Sequence, residues 1–305
     1  MPCFLSLCKA AKPASAVGGP AERSAGQFYG LLHGSCIMEK NTELSVPLGL
    51  IVTDFDGTIH TEATVPPISK QFQEIIADLQ SQGVKWMINT GRDLPGLLEE
   101  LARARCQVKP DFLGLVEREI YVLKANQYVS VADWNKRCAR DQSAAFAKLK
   151  PFIPSMFAWV EERFQATVYS DSWSPFCVIA ESNHDADQIM DYLQQYCQMF
   201  PELSLVRNDV YARFSHAAYH KGSVMAEVTK RLGLAPNQVL AAGDHWNDLP
   251  MLSRNHAHWL VAPANAVASV KECVEQQGGY VAKAFWSDGV AEGIIAALET
   301  SVDSD

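Results

Sequence analysis

The sequence predicts an α/β fold: a doubly wound, Rossmann-like parallel-sheet core with an inserted α+β cap domain. Three observations predict it. From Leu48 to Val116, short apolar runs alternate with amphipathic stretches, the rhythm of parallel strands joined by helical crossovers. Between 131 and 215 that rhythm gives way to a helix-strand-strand order, stated twice. After Tyr219 the first rhythm resumes. The core is therefore expected over 46–130 and 216–300 and the cap over 131–215, an insertion that closely placed domain ends tolerate.

The elements follow in order. Leu48–Thr53 is a short apolar run ending in Asp54 and reads as a buried strand. Ser69 caps a helix through Leu79, with Phe72, Ile75, Ile76 and Leu79 at helical spacing and Gly83 beyond its end. Val84–Ile88 is a second strand, Asp93 caps a helix through Ala104, and Phe112–Val116 is a third strand. Ile120–Leu123 and Tyr128–Val131 read as a hairpin. In the cap, a helical stretch from Gln142 to Phe164 carries breaks at Pro151 and Pro154. Strands Thr167–Ser170 and Phe176–Ala180, a helix from Asp185 to Met199, and strands Leu203–Arg207 and Val210–Phe214 follow, the last two joined by a turn at Asn208-Asp209. The core returns with a helix from Gly222 to Leu232, a strand Val239–Ala242, a strand at Leu260-Val261, and helices near Ala266–Gln276 and Val290–Leu298.

Composition is that of a globular protein, with 48% hydrophobic residues and a formal net charge of -9. No basic run is present, which argues against nucleic acid or a membrane surface as partner. No apolar stretch reaches the ~20 residues of a membrane span. The eight cysteines form no Cys-x-x-Cys pair and read as free thiols in a reducing compartment. Residues 1–45, rich in Ala, Gly, Ser and Pro, read as a disordered extension, and Met38 as a candidate initiator. The cytoplasm is the expected location, with organelle targeting through 1–37 as the alternative.

Three apolar strands end in polar clusters: Asp54-Phe55-Asp56-Gly57-Thr58, Asn89-Thr90-Gly91-Arg92, and Gly243-Asp244-His245-Trp246-Asn247-Asp248. One Asp-Gly pair is ordinarily only a turn. Three polar strand ends in one parallel sheet share its C-terminal edge, where ligands bind. Asp54, Asp56, Asp244 and Asp248 should therefore converge. Converging carboxylates repel unless a cation joins them, and an all-oxygen set suits Mg²⁺. Asp54, at the strand end, is placed to attack phosphorus as a covalent nucleophile. Asp56 is placed to protonate the leaving oxygen and then activate water. Thr90 and the backbone near Gly91 offer phosphate donors, and Lys221, before a helix, a point charge for phosphoryl oxygens.

These residues resemble the four motifs of the haloacid dehalogenase superfamily. Asp54-Phe55-Asp56-Gly57-Thr58 is similar to the first motif, Thr90-Gly91-Arg92 to the second, Lys221-Gly222 to the third, and Gly243-Asp244 with Asn247-Asp248 to the fourth. The resemblance implies that Mg²⁺ is held by the Asp54 side chain, the Asp56 carbonyl and Asp244, with Asp248 supporting the metal site or the lysine. About 30 residues separate Asp56 from Thr90 and about 130 separate Thr90 from Lys221, which resembles Cof-like members with the cap between the second and third motifs. The stretch from Pro110 to Tyr121 is similar to that of sucrose-phosphate phosphatases, but Val116-Glu117-Arg118 departs from their small-residue turn. The implied function is a Mg²⁺-dependent phosphomonoester hydrolase, working through an aspartyl-phosphate on a small phosphorylated metabolite, a sugar phosphate first among them. A phosphosugar mutase and a non-catalytic phospho-ligand binder are the alternatives. Candidate substrate contacts are Thr90, Gly91, Arg92, Lys221 and Asn247, with Arg207, Arg213, Asn208, Ser172 and Trp173 from the cap. His245 and Trp246 are expected to shape the pocket, and His220 to take no catalytic part.

Overall fold

The computed structural model describes residues 47–302. The expected N-terminal extension, a start at Met38 and a leader over 1–37 lie outside the described residues. β1 (Leu50–Thr53), β2 (Lys85–Asn89) and β3 (Phe112–Leu115) pair in parallel, with α1 (Lys70–Ser81) and α2 (Leu94–Arg103) as crossovers. The hairpin β4 (Glu119–Lys124) and β5 (Gln127–Ser130) extends this sheet antiparallel to β3. Both expected helix caps are formed: Ser69 Oγ accepts the Phe72 N–H at 3.2 Å and Asp93 Oδ1 accepts the Gly96 N–H at 2.9 Å.

The cap begins with α3 (Ala132–Leu149), a 3-10 turn at Lys150–Phe152 and α4 (Ile153–Glu161). β6 (Ala166–Tyr169), β7 (Cys177–Ala180), α5 (Asn183–Met199), β8 (Leu203–Asn208) and β9 (Tyr211–His216) complete it. Its four strands form a separate antiparallel sheet in the order β6-β7-β9-β8. The core resumes with α6 (Lys221–Leu232), β10 (Val239–Ala242), β11 (Trp259–Ala262), α7 (Ala268–Gln276), β12 (Tyr280–Val281) and α8 (Trp286–Val302). The core sheet runs β12-β11-β10-β1-β2-β3-β4-β5.

Strand alternation divides the core into two layers. Ile51, Trp86, Ile88, Leu240 and Val261 pack with Phe72, Ile76, Leu97 and Ile294 on one face. Leu50, Val52, Met87, Val239 and Leu260 pack with Val224, Val228, Val270 and Val274 on the other. Helices thus cover both faces, as an all-parallel centre requires. A third cluster, including Leu149, Met156, Phe176, Ile189, Leu193 and Phe214, fills the cap.

Four details correct the sequence reading. α3 starts ten residues earlier than Gln142, at Ala132. Its buried stripe is Trp134, Cys138, Gln142, Ala145 and Leu149, and a polar residue and two small ones hide the helical period. Trp134 and Cys138 pack on the core whereas Ala145 and Leu149 pack in the cap, so one helix joins the two clusters. In the β8–β9 hairpin Asn208 still pairs with Tyr211, so the turn is Asp209-Val210, with Asp209 at φ 51°. α8 begins at Trp286 rather than near Val290, and β12, at two residues, is too short to leave a periodic signal. No described helix is long and apolar enough to cross a membrane. Cys106, Cys138, Cys177, Cys197 and Cys273 are free thiols.

Candidate active site

β1 and β10 are neighbours in the centre of the sheet, so the polar loops that follow them meet at one edge. Oxygens of Asp54, Asp244 and Asp248 lie within 4.8 Å of one another there. Gly57, at φ 78°, makes this approach possible: a Cβ would sit 2.4 Å from Asp244 Oδ2. Thr58 donates its hydroxyl to Asp244 Oδ1 at 2.6 Å. Lys221, fully buried, donates to Asp54 Oδ1 and Asp248 Oδ1, both at 2.6 Å. His220 caps α6 by accepting the Ser223 N–H on Nδ1 at 3.3 Å. A Cβ at Gly222 would lie 2.1 Å from Pro250 O, so only glycine lets α6 start this close to the fourth cluster.

Three carboxylates against one ammonium leave a deficit of positive charge. Burial, and behind it the charges of Asp248 and Asp244, raise the Asp54 carboxyl well above its ordinary value despite Lys221. Burial followed by the Asp248 charge pushes Asp244 to about 7. Lys221 is held above the ordinary lysine range: burial opposes its charge, but Asp248 and Asp54 outweigh burial. The donor set fits a hard divalent cation, since it is all oxygen, clustered and under-neutralised. Asp54 and Asp244 carry the ligand oxygens open to it. Asp248 is otherwise engaged, its Oδ1 by Lys221 and its Oδ2 by the Asp244 and His245 N–H groups at 2.9 and 3.0 Å.

A stability measurement reads this deficit. Asp244 titrates near 7 in the fold against 3.8 as a free side chain, so its contribution is complete below about 4 and is lost as pH rises through 7. In chelator the melting temperature is expected to fall from pH 5 to pH 8. Added Mg²⁺ should raise it by roughly 5 °C at pH 8 and less at pH 5. A metal shift that does not grow with pH would contradict the under-neutralised cluster.

A cavity of about 540 Å³ opens over Asp54. Asp56, Thr90, Gly91, Arg92, Asn247 and Arg213 line it, with Ser172, Trp173 and Asn208 from the cap. Asp54 Oδ2 carries no protein hydrogen bond among the described residues. Thr90 Oγ1 accepts the Arg92 N–H at 3.2 Å, which leaves its proton for a ligand. The helix N-terminus of α2 is satisfied by Asp93 itself, so the donors here belong to the loop before it.

Asp56 and Arg92 differ from the expectation for each. Arg92 Nε and Nη2 grip the Asp56 carboxylate at 2.7 and 2.8 Å, so its fork is spent on Asp56. Burial raises the Asp56 carboxyl, but contacts from His60 and Arg92 override it and hold it at about 2. At 3.7 Å the His60 contact is electrostatic only, and the Arg92 fork carries most of the hold. The Asp56 side chain does not join the carboxylate cluster.

Arg207 is not brought to this cavity. It faces a second cleft with Trp246 and Lys221, lies 4.9 Å over the Trp246 ring, and bonds Asp187, the Asn183 side chain and the Asp209 carbonyl. It ties cap to core instead. Asp187 and Asn183, on the preceding helix α5, take its donors, and sequence spacing gives no sign of that.

Three residues escaped the sequence reading. Thr58 holds Asp244, and Asn89 Nδ2 donates to the Lys221 carbonyl at 2.9 Å, fixing the start of α6. Both lie in the quoted clusters, and their positions at strand ends were the available signal. Glu117 is the third. It is buried, lines the cavity and accepts from Asn247 Nδ2 at 2.8 Å and Arg213 Nη2 at 3.2 Å. Val116 and Glu117 adopt φ 45° and 62° in succession. Each such residue costs about 1–3 kcal/mol, and a β-branched one is the more strained.

The haloacid dehalogenase-like hydrolase family model matches residues 51–110 and 154–294. A 5-amino-6-(5-phospho-D-ribitylamino)uracil phosphatase of Bacillus subtilis is 24% identical over 260 residues, which is 82% of this chain and 95% of the relative. Among solved structures, a sucrose-phosphatase of Synechocystis, in complex with sucrose and phosphate, gives a TM-score of 0.61 at 16% identity, over 81% of this chain and 97% of the other. A haloacid dehalogenase-like hydrolase of Bacillus subtilis gives 0.55 at 18% identity, over 81% and 91%. The two structural likenesses establish the fold.

Proposed function

The chain belongs to the haloacid dehalogenase-like hydrolase family, and on that premise we propose that it is a Mg²⁺-dependent phosphomonoester hydrolase acting on a small phosphorylated metabolite, a sugar or polyol phosphate. The observation that carries this reading is the Asp54 carboxylate at the cavity floor, with Oδ1 on Lys221, Oδ2 free, and Asp244 and Asp248 beside it. The names of two relatives, a phosphoribitylamino-uracil phosphatase and a sucrose-phosphatase, support the substrate class.

Asp54, Asp244 and the Asp56 carbonyl would hold the metal ion, which supplies positive charge to the carboxylates and to phosphoryl oxygens. Asp54 Oδ2 bonds to phosphorus as the ester P–O bond breaks, and the leaving oxygen takes the proton of Asp56. Water then gives a proton to Asp56 while its oxygen bonds to phosphorus, and the bond to Asp54 breaks. Thr90 Oγ1 and the Gly91 N–H donate to the phosphoryl oxygens. Lys221 favours the ionised form of Asp54 and orients it. While Arg92 grips it, Asp56 is an anion at neutral pH and no proton donor. The leaving-group step therefore requires Asp56 to turn from Arg92 toward the ester.

Phosphate release from a panel of sugar phosphates, polyol phosphates and nucleotides, with Mg²⁺ and with chelator, tests the reading. Metal-dependent release from a sugar or polyol phosphate is the expected result. Silence across the panel would overturn it, and a mutase assay with a bisphosphate activator would follow. In the same assay Arg92→Met should move the alkaline limb of the kcat/KM profile upward by about one pH unit, since Asp56 must be protonated for the leaving-group step and loses the group that holds it low. An unmoved limb would remove Asp56 from the proton-transfer role.

A further inference from the structure

The turn at Val116–Arg118 joins β3 to β4 beside the cavity. Its first two N–H groups donate to the 90–92 loop: Val116 to Arg92 O and Glu117 to Thr90 O, both at 3.0 Å. Glu117 Oε1 lies 3.7 Å from where a Cβ on Gly91 would be. A substrate whose phosphoryl group sits at Asp54 and Thr90 must therefore pass its next atoms beside this carboxylate. Glu117 is also kept in place by Asn247 and by Arg213, which reaches it from β9 of the cap.

Among the described residues that line the cavity, the cations are Arg92 and Arg213. Arg92 is spent on Asp56. Arg213, buried, donates its Nη2 to Val116 O at 2.9 Å and to Glu117 Oε2 at 3.2 Å. Every cation on the wall is thus already matched to a carboxylate, and Asp93 and Asp171 add negative charge. A second anionic group on the substrate would meet no free cation here and a fixed carboxylate at close range. Hydroxyl or amino donors, by contrast, find unused lone pairs on both Glu117 oxygens.

We propose that Glu117, backed by Arg213, is a charge filter on the leaving-group side, selecting phosphomonoesters whose alcohol is uncharged and rich in hydroxyl or amino donors and rejecting those that carry a second anion. The inference rests on the phosphatase reading above for the position of the phosphoryl group. It extends that reading by naming the residue that discriminates and the group against which it discriminates.

The full chain with Mg²⁺ is assayed on fructose 6-phosphate and fructose 1,6-bisphosphate as wild type, Glu117→Gln and Glu117→Gly. Glutamine keeps the shape and removes the charge. Glycine removes the side chain and relaxes the φ of 62°, which offsets part of the cost of leaving Arg213 without its carboxylate. The wild type should favour the monophosphate in kcat/KM by roughly 30-fold or more. Both variants should shrink that ratio by about 10-fold, chiefly through a lower KM for the bisphosphate. A ratio that both folded variants leave unchanged overturns the filter, whereas equal losses on both esters mark Glu117 as a structural strut and overturn it as well. Binding separates this result from failure of the phosphatase reading. Orthophosphate and phosphonoacetate, titrated calorimetrically, should show Glu117→Gly gaining affinity for phosphonoacetate alone. Equal affinities in wild type and variant refute the filter whether or not any ester is hydrolysed.

Discussion

Asp54→Asn is expected to lower phosphate release by at least about 10⁴-fold while leaving the protein folded, and in chelator at pH 8 no less stable than the wild type. The amide matches the carboxylate in size, so the cavity and the β1 end are unchanged. It removes the proposed nucleophile and one of three crowded negative charges. Burial already disfavours ionisation of Asp54, so its charge is a burden on the apo fold and its removal relieves it. Lys221 keeps its second partner, Asp248 Oδ1 at 2.6 Å. Loss of activity together with retained or raised melting temperature separates chemistry from scaffolding, because a residue that merely held the loop would lower both. Turnover within ten-fold of wild type would eliminate Asp54 as nucleophile. The metal response provides a second reading: with one ligand oxygen gone, the Mg²⁺-induced rise in melting temperature should shrink in the same variant.

The parts of this site that were legible share one property: each lies where a continuous apolar run stops. Leu50–Thr53 and Val239–Ala242 are buried on both faces, so apolar residues dominate them, and the first charged residue after each marks the sheet edge. The meeting of Asp54 with Asp244 and Asp248 follows from that geometry across more than 180 positions of sequence. Lys221 was legible as a residue before a helix, whereas the His220 and Ser223 bonds that cap that helix emerge only in the fold. What spacing does not carry is the direction of a side chain once it leaves the backbone. Arg92 and Arg207 have the same chemistry on paper. Only the fold shows the first gripping Asp56 and the second lying on Trp246.

Glu117 illustrates the harder case. The departure from a small-residue turn was visible, but not its consequence. Left-handed backbone at Val116 and Glu117 is a tertiary outcome, since neither residue favours it and no local pattern announces it. Three hydrogen bonds from the turn, two to the 90–92 loop and one closing it on Leu115 O, hold the strained conformation. The missed start of α3 has a related origin. Gln142 sits buried within reach of Ser215 across the cap, so a polar residue occupies a core position and breaks the apolar count.

Lys221→Met should have the largest effect on stability, about 3–5 kcal/mol, together with loss of turnover. The ammonium is wholly buried and bonded to two carboxylates at 2.6 Å, and its removal leaves Asp54, Asp244 and Asp248 with no cationic partner among them. Lys221 itself remains charged to well above pH 8, so its own titration gives no pH dependence in the working range. The dependence comes from the carboxylates. Without the lysine the folded-state values of Asp54 and Asp244 climb further above 3.8, and stability is lost as pH rises from about 4, so the variant's deficit should be greater at pH 8 than at pH 5. Lys221→Met/Asp248→Asn separates the two duties of the residue. Neutralising the deeper carboxylate should recover more than half of the lost stability, because the amide oxygen of the substituted side chain still accepts a backbone N–H and one buried charge is gone. Activity should stay at least about 10³-fold down, since nothing then holds Asp54 ionised and aimed at phosphorus. A double variant that regains turnover along with its fold would show Lys221 to be a structural counter-charge. One that stays unstable would show that the deficit of positive charge around Asp54 and Asp244, and not the Lys221–Asp248 pair, sets the stability of this edge of the sheet.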